Sequence, residues 1–398
     1  MEFKDVIGQT EVKQHLIELV EHNRLGHALL FLGREGSGAL PLAIAFAQYI
    51  VSSPSDTINS QADLFGDGKG SGPAFISPDK VILQPAWQRA NELVHPDLHF
   101  SYPVIPKKSG DKPISTDYIP EWREFIKTKP YGNIYDWLQF IGAENKQGNI
   151  TAYECSDIIR KLSLKTFESE YKVLLMWMPE YLGNEGNKLL KMIEEPPANT
   201  LFILVAENES LILPTIVSRT QLIKIPLLST DEITMALRER AGIATEQARQ
   251  TALVSEGNYR EALQLVQHAE EDWQSLLRNW LNTIMKTGPV SQVKWIEETG
   301  KLGRERQKQF LKYFGHLLEQ AIRLQAMGEA SLSIPENEKD FAIRLNKIAD
   351  LGQQQAIIKE LDNAIYYIER NANAKLLFHA LTIKIYHIIA NHQLVEIV

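Results

Sequence analysis

Residues 33–40 read Gly-Arg-Glu-Gly-Ser-Gly-Ala-Leu. This stretch keeps the glycine spacing of the phosphate-binding P-loop, G-x-x-x-x-G-K-[ST], with Gly33 and Gly38 at the two fixed positions. The position of the lysine, which reaches the β- and γ-phosphates, holds Ala39. The position of the hydroxyl, which ligates Mg²⁺, holds Leu40. The pattern therefore predicts a phosphate-binding turn that has lost its main charge and its metal ligand.

The segments around this turn favour the P-loop interpretation. Residues 27–32 form a short apolar run that is typical of a buried parallel strand, and residues 42–50 read as an apolar helix. A glycine-rich turn between a strand and a helix is the context that the motif requires. The alternative is a glycine-rich turn that never bound a nucleotide.

The composition restricts the classes of protein to which this chain can belong. It has 398 residues, 44% hydrophobic and 23% charged, which fits a soluble globular protein of two or three domains. The net charge of −8 argues against binding nucleic acid by bulk electrostatics. Cys155 is the single cysteine, so neither an intrachain disulfide nor a four-cysteine zinc site can form. Because no signal peptide and no membrane-length apolar run is visible, we expect a cytoplasmic protein.

Two strand candidates further along the chain indicate the fold class. Residues 172–177 and 200–206 are apolar runs, and the stretch between them, 187–195, reads as a helix closed by two prolines. A strand, a helix and a strand at this spacing form a βαβ unit, which implies a parallel sheet. Together with the P-loop segment they predict an α/β fold, and from about residue 229 onward the pattern is helical.

These patterns predict three domains and two insertions. The domains are an α/β domain at 1–225, a small helical domain at 226–268 and a helical C-terminal domain at 269–398. The first domain is interrupted at about 51–76 by a stretch rich in serine, aspartate and glycine, and at about 101–150 by an irregular stretch with five prolines. Aromatic residues in the later part of the second insertion suggest that it packs against the rest of the domain.

Several segments are specific enough to indicate a family. Residues 189–200, Leu-Leu-Lys-Met-Ile-Glu-Glu-Pro-Pro-Ala-Asn-Thr, resemble the LLKxLEEPPxxT stretch of clamp-loader AAA+ proteins. Residues 212–221, Ile-Leu-Pro-Thr-Ile-Val-Ser-Arg-Thr-Gln, resemble the family's ILPTIxSRCQ. Residues 6–9 resemble its xIGQ signature, while 95–99 and 371–377 resemble the HPDxH and NxNxxLL segments of its delta-prime group. By these segments, in family order, the chain is identified as a member of the bacterial DNA polymerase III clamp-loader family.

The resemblance implies a fold, partners and a functional residue. The expected fold is a P-loop AAA+ domain with a parallel sheet, a small helical lid domain and a C-terminal all-helical collar domain. The expected partners are the gamma/tau ATPase subunits, the delta subunit, the sliding clamp and primed DNA, and no membrane. Arg219, with Ser218, falls in the family's SRC motif, whose arginine acts in trans on the ATP of a neighbouring subunit. Thr220 replaces the family's cysteine.

Two parts of the ATP site depart from an active family member. Besides the loop, the strand at 173–177 lacks the paired carboxylates of a Walker B motif, and only Glu180 follows it. We therefore expect a catalytically silent stator, with no cofactor and no ATPase activity of its own. Arg260 falls at the family's sensor 2 position, where we favour a structural role. The residues of the degenerate P-loop are Gly33, Gly36, Gly38, Ala39 and Leu40.

Two other functions remain open at this stage. One is an active gamma/tau-type clamp-loader ATPase, against which Ala39 and Leu40 argue. The other is an AAA+-derived adaptor outside replication, against which only the segments 95–99 and 371–377 count. His95 and His99 have the spacing of metal ligands, but no companion ligands are visible, so we expect no metal site. Many relatives carry a four-cysteine zinc module, which this sequence cannot form.

Overall fold

The computed structural model describes most of the chain. Its described residues are 1–53, 77–108, 110–143, 146–267, 273–286, 288–328, 336–369 and 372–391. Most of the predicted insertion at 51–76 therefore lies outside the described residues, and so does Asn371 at the start of the segment 371–377. The chain forms two compact units, Met1–Ala269 and Glu270–Val398.

A five-stranded parallel sheet forms the centre of the first unit. Its strands are β1 (Ala28–Gly33), β2 (Leu98–Ser101), β3 (Lys172–Trp177), β4 (Thr200–Ala206) and β5 (Gln221–Ile225). They lie in the order β2-β3-β4-β1-β5, and each neighbouring pair is parallel. The central strands β3 and β4 are buried along their whole length, which explains the apolar runs that follow Lys172 in β3 and Thr200 in β4. The predicted α/β fold with a parallel sheet is confirmed.

Helices cover both faces of this sheet. On one face lie α1 (Thr10–Glu21) and α2 (Ala39–Ser52), and α2 is buried along its full length. The other face carries α7 (Ala152–Leu162), a 3-10 segment Pro179–Leu189, α8 (Leu190–Glu194) and α9 (Pro214–Val217). Alternate residues of β1 enter the two cores, with Leu29 and Phe31 on the α2 side and Ala28 and Leu30 on the other. The sheet is therefore the middle of three layers.

The second predicted insertion is folded. After α3 (Pro78–Val81), α4 (Pro85–Asn91) and β2, it contains a 3-10 turn Ser115–Tyr118, α5 (Ile119–Thr128) and α6 (Ile134–Phe140). The Trp122 ring lies at its centre, 4.1 Å between centroids from Tyr102 and 5.4 Å from both Trp137 and Trp177 of β3. Pro120 stands in the first turn of α5, where its missing N–H costs nothing. The proline pattern that indicated irregular structure thus partly marks a helix start.

Three helices follow β5: α10 (Thr230–Ala241), α11 (Thr245–Val254) and α12 (Tyr259–Gln267). Ser229 caps α10, as its sequence predicts. Its hydroxyl accepts a hydrogen bond from the Glu232 N–H, and the Glu232 carboxylate accepts one from the Ser229 N–H. The buried residues of these helices form a cluster that Ile7 and Tyr131 of the preceding α/β part also join.

The only regular secondary structure in the described residues of the second unit is helical. Its helices are α13 (Trp273–Lys286), α14 (Pro289–Thr299), α15 (Arg304–Met327), α16 (Glu336–Ile348), α17 (Leu351–Glu369) and α18 (Ala374–Asn391). The rings of Trp280 and Trp295 stack at 4.8 Å in its core, and the Trp280 Nε1–H donates to Thr382 Oγ1 at 3.0 Å. Across the described parts of both units, no helix is long and apolar enough to cross a membrane.

Candidate functional site

The glycine-rich loop 33–40 connects the end of β1 to the start of α2, as the sequence predicts. Gly36 and Gly38 have φ values of 72° and 92°, in the left-handed region that favours glycine. Ala39 and Leu40 begin α2 and are buried in the core beneath the loop. The backbone therefore makes the expected turn, while the two positions that would carry a cation and a hydroxyl supply apolar side chains to the core.

A depression of about 340 Å³, open to solvent, adjoins the loop. Besides the loop itself, it is lined by residues 130–132 of the second insertion, by Trp177 and Met178 after β3, and by 205–207 at the end of β4. In open α/β sheets, ligands bind outside the carboxyl ends of the strands. This depression is therefore the candidate site of the first unit.

Glu180, the acidic residue nearest the end of β3, does not line this depression. Its Oε1 accepts hydrogen bonds from the N–H groups of Glu207 and Asn208, at 2.7 and 2.9 Å. Burial raises the pKa of its carboxyl group. Trp177 and Met178, which precede it, are buried. Glu180 thus ties the end of β3 to the end of β4, and no carboxylate of this segment reaches the loop.

Arg260 of α12 is buried beside the loop, with 5% of its surface exposed. Its Nε and Nη2 donate to the two carboxylate oxygens of Asp136, at 2.5 and 2.8 Å, which is a bidentate ion pair. Its Nη1 donates to Glu35 Oε1 at 3.0 Å. Two carboxylates of its own chain therefore surround the guanidinium at the predicted sensor 2 position, and one of them belongs to the loop.

The loop is bonded to two further parts of the unit through Glu35 and Gly36. Asn133, just before α6, donates to Glu35 Oε2 at 2.8 Å, and Asn258, just before α12, donates to Glu35 Oε1 at 3.1 Å. The Tyr259 N–H donates to the Gly36 carbonyl at 3.3 Å. A Cβ at Gly36 would lie 1.9 Å from Asn258 Oδ1, so only glycine permits this approach.

Tyr131 packs against another part of the loop. A Cβ at Gly38 would lie 3.2 Å from Tyr131 Cε1. The Tyr131 ring meets the ring of Tyr259 edge-on at 4.9 Å between centroids, and its hydroxyl accepts a hydrogen bond from the Ile7 N–H at 2.8 Å. Burial raises the pKa of Tyr131 to about 12, so the phenol stays neutral at ordinary pH. Tyr131 therefore contacts the N-terminal segment, the loop and α12 together.

Gln9, the last residue of the segment 6–9, contacts the loop. Its side chain is buried, and its Nε2 donates to the carbonyls of Ser37 in the loop, at 2.9 Å, and of Pro226 after β5, at 2.7 Å. The amide side chain thus holds the loop to the chain segment that leads into α10.

Arg219 lies outside this site, on the exposed surface after α9. Its Nε donates to Glu194 Oε1 at 2.5 Å, and its Nη1 donates to the Thr215 carbonyl at 2.8 Å and to Ser218 Oγ at 3.2 Å. Among the residues that the structure describes, no acceptor is found for its Nη2. Arg219 is thus oriented by its neighbours, and it does not line the depression of its own chain.

The two histidines of the segment 95–99 have structural surroundings: His95 lies in the loop before β2, and His99 lies in β2 itself. The Asp97 carboxylate accepts hydrogen bonds from three successive backbone N–H groups, at positions 167–169. His95 Nε2 lies 2.9 Å from Glu168 Oε1, and burial lowers the pKa of His99 to about 4. Within the described ranges, no group of three or more His, Cys, Asp or Glu residues is arranged to hold a metal ion.

Sequence reasoning missed Glu35, Tyr131, Asn133 and Asp136 as members of the site. One signal could have marked the last two. Asn133 and Asp136 form a reciprocal helix cap, an N-x-x-D pattern that precedes the aromatic run of α6. Such a pattern predicts a helix start, and it places two polar side chains at one end of an otherwise aromatic segment.

The family model and the two relatives below are all described as subunits of DNA polymerase III. The family model described as "DNA polymerase III, delta subunit" matches residues 85–229. The DNA polymerase III subunit gamma of Buchnera aphidicola is 30% identical over 122 residues, which are 29% of this chain and 34% of that protein. The DNA polymerase III subunit delta′ of Bacillus subtilis is 24% identical over 262 residues, 66% of this chain and 60% of that protein. The chain thus matches less than two thirds of the length of either relative.

Two solved structures from Thermotoga maritima show a more distant likeness. A DNA polymerase III gamma subunit-related protein has a TM-score of 0.40 at 13% identity, covering 94% of this chain and 98% of that chain. A RuvB variant has a TM-score of 0.37 at 13% identity, covering 82% of this chain and 79% of that chain.

Proposed function

We propose that this chain, which belongs to the bacterial clamp-loader family of DNA polymerase III, is its delta-prime-like, catalytically silent subunit. It completes a ring with the gamma/tau ATPase subunits and the delta subunit, and the ring opens the sliding clamp and places it on primed DNA. In that ring it acts as a stator and lends Arg219 to the ATP site of the adjacent subunit. The observation that carries the proposal is that Asp136 and Glu35 of its own chain neutralise Arg260 beside a loop without the P-loop lysine.

The chemistry of the depression supports catalytic silence. A P-loop ATPase needs a lysine on the β- and γ-phosphates and a hydroxyl and carboxylate on Mg²⁺. Here Ala39 and Leu40 are buried core residues, and Trp177 and Met178 stand where β3 should offer carboxylates. The one carboxylate that the loop supplies, Glu35, would repel phosphate groups rather than bind them. Nucleotide hydrolysis at this site therefore lacks each of its usual groups.

The surroundings of Arg219 support an action on another chain. A guanidinium that stabilises a γ-phosphoryl group must be exposed and must hold its planar fork in one orientation. Arg219 meets both conditions, because Glu194 and the Thr215 carbonyl fix its Nε and Nη1 while the side chain stays 37% exposed. Glu194 is accordingly a positioning residue for Arg219 in this proposal.

Replacing Glu194 with Ala is expected to lower ATP hydrolysis by the assembled complex, because Arg219 loses the partner that orients it. The loss should be smaller than that for Arg219→Ala, and about tenfold at the affected site, since misplacement of a catalytic group by about 1 Å costs up to about 10²-fold. The measurement is DNA-stimulated ATPase of the reconstituted complex. Glu195→Ala is the matched control, because this neighbouring carboxylate is also exposed and does not contact Arg219. Equal effects of the two changes would show that Glu194 has no positioning role.

Isolation of the native complex tests the proposed function against its two rivals. The tagged chain is purified under native conditions from cells that contain it, and its partners are identified. Gamma/tau, delta and the clamp should accompany it, and the chain alone should not turn over ATP. Partners without these replication proteins would favour an adaptor outside replication. Turnover of ATP by the chain alone would favour a gamma/tau-type ATPase.

Ending the chain at residue 267 is expected to abolish assembly while leaving the first unit folded. The residues up to Ala269 form a compact unit with their own cores, and the helices from α13 onward have a separate core. In the proposal this helical unit is the collar that holds the subunits together. The measurement is size-exclusion chromatography with the partner subunits, after circular dichroism has shown that the shortened chain is folded. A folded, shortened chain that still joined the complex with full affinity would contradict this division of roles.

A further inference from the structure

We propose that residues 130–136, which we call the latch segment, occupy the degenerate loop's site in place of a nucleotide and fix α10–α12 against the sheet. The latch proposal rests on the proposed function in one respect, which is that the site takes no nucleotide from solution. It assigns a role to the folded part of the second insertion. The ligand of the loop is then a segment of the same chain.

The latch segment forms one side of the depression and packs onto the loop where α2 begins. Phosphates held by such a loop lie against its backbone N–H groups at the start of the following helix. In this chain the Tyr131 ring packs against Gly38 at that helix start, and Pro130 and Gly132 line the same depression. Tyr131 and Asn133 are themselves buried, so they are fixed parts of the interior rather than surface side chains.

The latch segment also supplies the charge that the site needs. A buried arginine requires an anion, because an unpaired charge in the interior costs several kcal/mol. Arg260 receives both oxygens of Asp136 and one of Glu35, and the Arg260 and Asp136 residues are 5% and 8% exposed. In a nucleotide-binding site, phosphates can be the anion for such an arginine. Here carboxylates already fill that place, so a polyanion would have to displace them.

Contacts within the insertion hold the latch segment in position independently of Arg260. The Asp136 carboxylate accepts a hydrogen bond from the Asn133 N–H, and Asn133 Oδ1 accepts one from the Asp136 N–H, so each orients the other. Trp137, next in the chain, is wholly buried, and its Nε1–H donates to the Pro103 carbonyl at 2.7 Å. A Cβ at Gly132 would lie 2.8 Å from the Phe125 ring, so the backbone passes tightly over α5.

The consequence is a connection that does not depend on nucleotide. Through Asp136 and Tyr131 the latch segment contacts α12, and through Asn133 and Tyr131 it contacts the loop. Helices α10–α12 are therefore held to the sheet whether or not ATP is present. A fixed arrangement of this kind suits a subunit that acts as a stator.

Hydrogen exchange of the full chain, measured by mass spectrometry, tests the latch. Asp136→Asn keeps the shape of the side chain and removes its charge, so amides of Tyr259–Gln267 and of 33–40 should exchange about tenfold faster or more. Tyr131→Phe, a milder variant that keeps the ring and removes the hydroxyl acceptor of the Ile7 N–H, should give a smaller increase in the same segments. Asp117→Asn is the control, because Asp117 also caps a short helix of the insertion but is exposed and contacts no arginine. Exchange in the second unit should be unchanged in all three.

The outcomes separate the latch from the proposed function. Unchanged exchange at Tyr259–Gln267 in both Asp136→Asn and Tyr131→Phe would overturn the latch and leave the silent-subunit proposal untouched. Addition of Mg-ATP to the unaltered chain should change nothing. If Mg-ATP slowed exchange at 33–40 there, the site would take nucleotide from solution and the latch proposal would fail, whereas the silent-subunit proposal would fail only if the chain also hydrolysed ATP. If Asp136→Asn unfolded the first unit, hydrogen exchange of the Tyr131→Phe variant would still test the latch proposal.

Discussion

Replacing Arg219 with Ala is expected to reduce ATP hydrolysis by the proposed clamp-loader complex, while the subunit itself stays folded and assembles. The side chain is exposed and its ion pair with Glu194 lies at the surface, so its removal should change the free energy of unfolding by about 0–1 kcal/mol. At the neighbouring ATP site the loss should be large, since an arginine finger contributes about 10³–10⁵ in rate. Because the other sites of the ring stay intact, total ATPase should fall by less.

Two further variants make this expectation specific. Arg219→Lys should restore little activity, because an ammonium group lacks the planar fork of a guanidinium. Arg160→Ala is the matched control, since Arg160 is another exposed arginine of the same unit that pairs with a nearby carboxylate, Asp157. The defect should appear only in the assembled complex. Unchanged DNA-stimulated ATPase and clamp loading by a verified complex with Arg219→Ala would show that the residue does not act in trans.

Replacing Asp136 with Ala is expected to destabilise the first unit strongly. The change removes the bidentate partner of a buried guanidinium and leaves Arg260 with Glu35, whose side chain is 25% exposed. Breaking a buried ion pair by removing one partner costs about 3–5 kcal/mol, and we expect the lower end because Glu35 remains. The measurement is urea denaturation of the full chain. Unfolding is monitored by hydrogen exchange of the β1 and β4 amides, so that the observed transition is that of the first unit.

A double-mutant cycle separates the pair from general damage. Arg260→Met removes the buried charge whose bidentate partner is lost in Asp136→Ala. The double variant should therefore be less destabilised than the sum of the two single changes. A coupling of about 2–3 kcal/mol is expected for residues in one buried network. Strict additivity would mean that Arg260 and Asp136 do not stabilise each other in the folded chain.

The elements that the sequence predicted well are those whose signals are local. The strands β1, β3 and β4 are continuous apolar runs because both faces of each are buried, and that burial is visible in the residues themselves. Two other signals are equally local. Ser229 begins a capping pattern, and the loop glycines stand where the backbone has a positive φ. The βαβ order then fixed the sheet as parallel.

The candidate site could be predicted only in part, because its contacts join distant positions. Asp136 and Arg260 are 124 residues apart, and Glu35 and Asn133 are 98 apart, so no local pattern links them. The predicted loop showed which groups are missing. The side chains that stand in their place come from an insertion whose prolines indicated irregular structure, although Pro120 in fact begins a helix. A tertiary ion pair of this kind follows from the fold and not from spacing.

Calorimetric titration of the isolated full chain with Mg-ATP tests most directly whether its own site is silent. A site without the lysine, the hydroxyl and the β3 carboxylates, and with Tyr131 and Asp136 in place, should show no saturable binding below about 1 mM, which corresponds to about −4 kcal/mol. It should also show no turnover, with the ATPase subunit of the proposed complex as the positive control. Micromolar affinity for Mg-ATP accompanied by hydrolysis would contradict the account and identify the chain as an active ATPase.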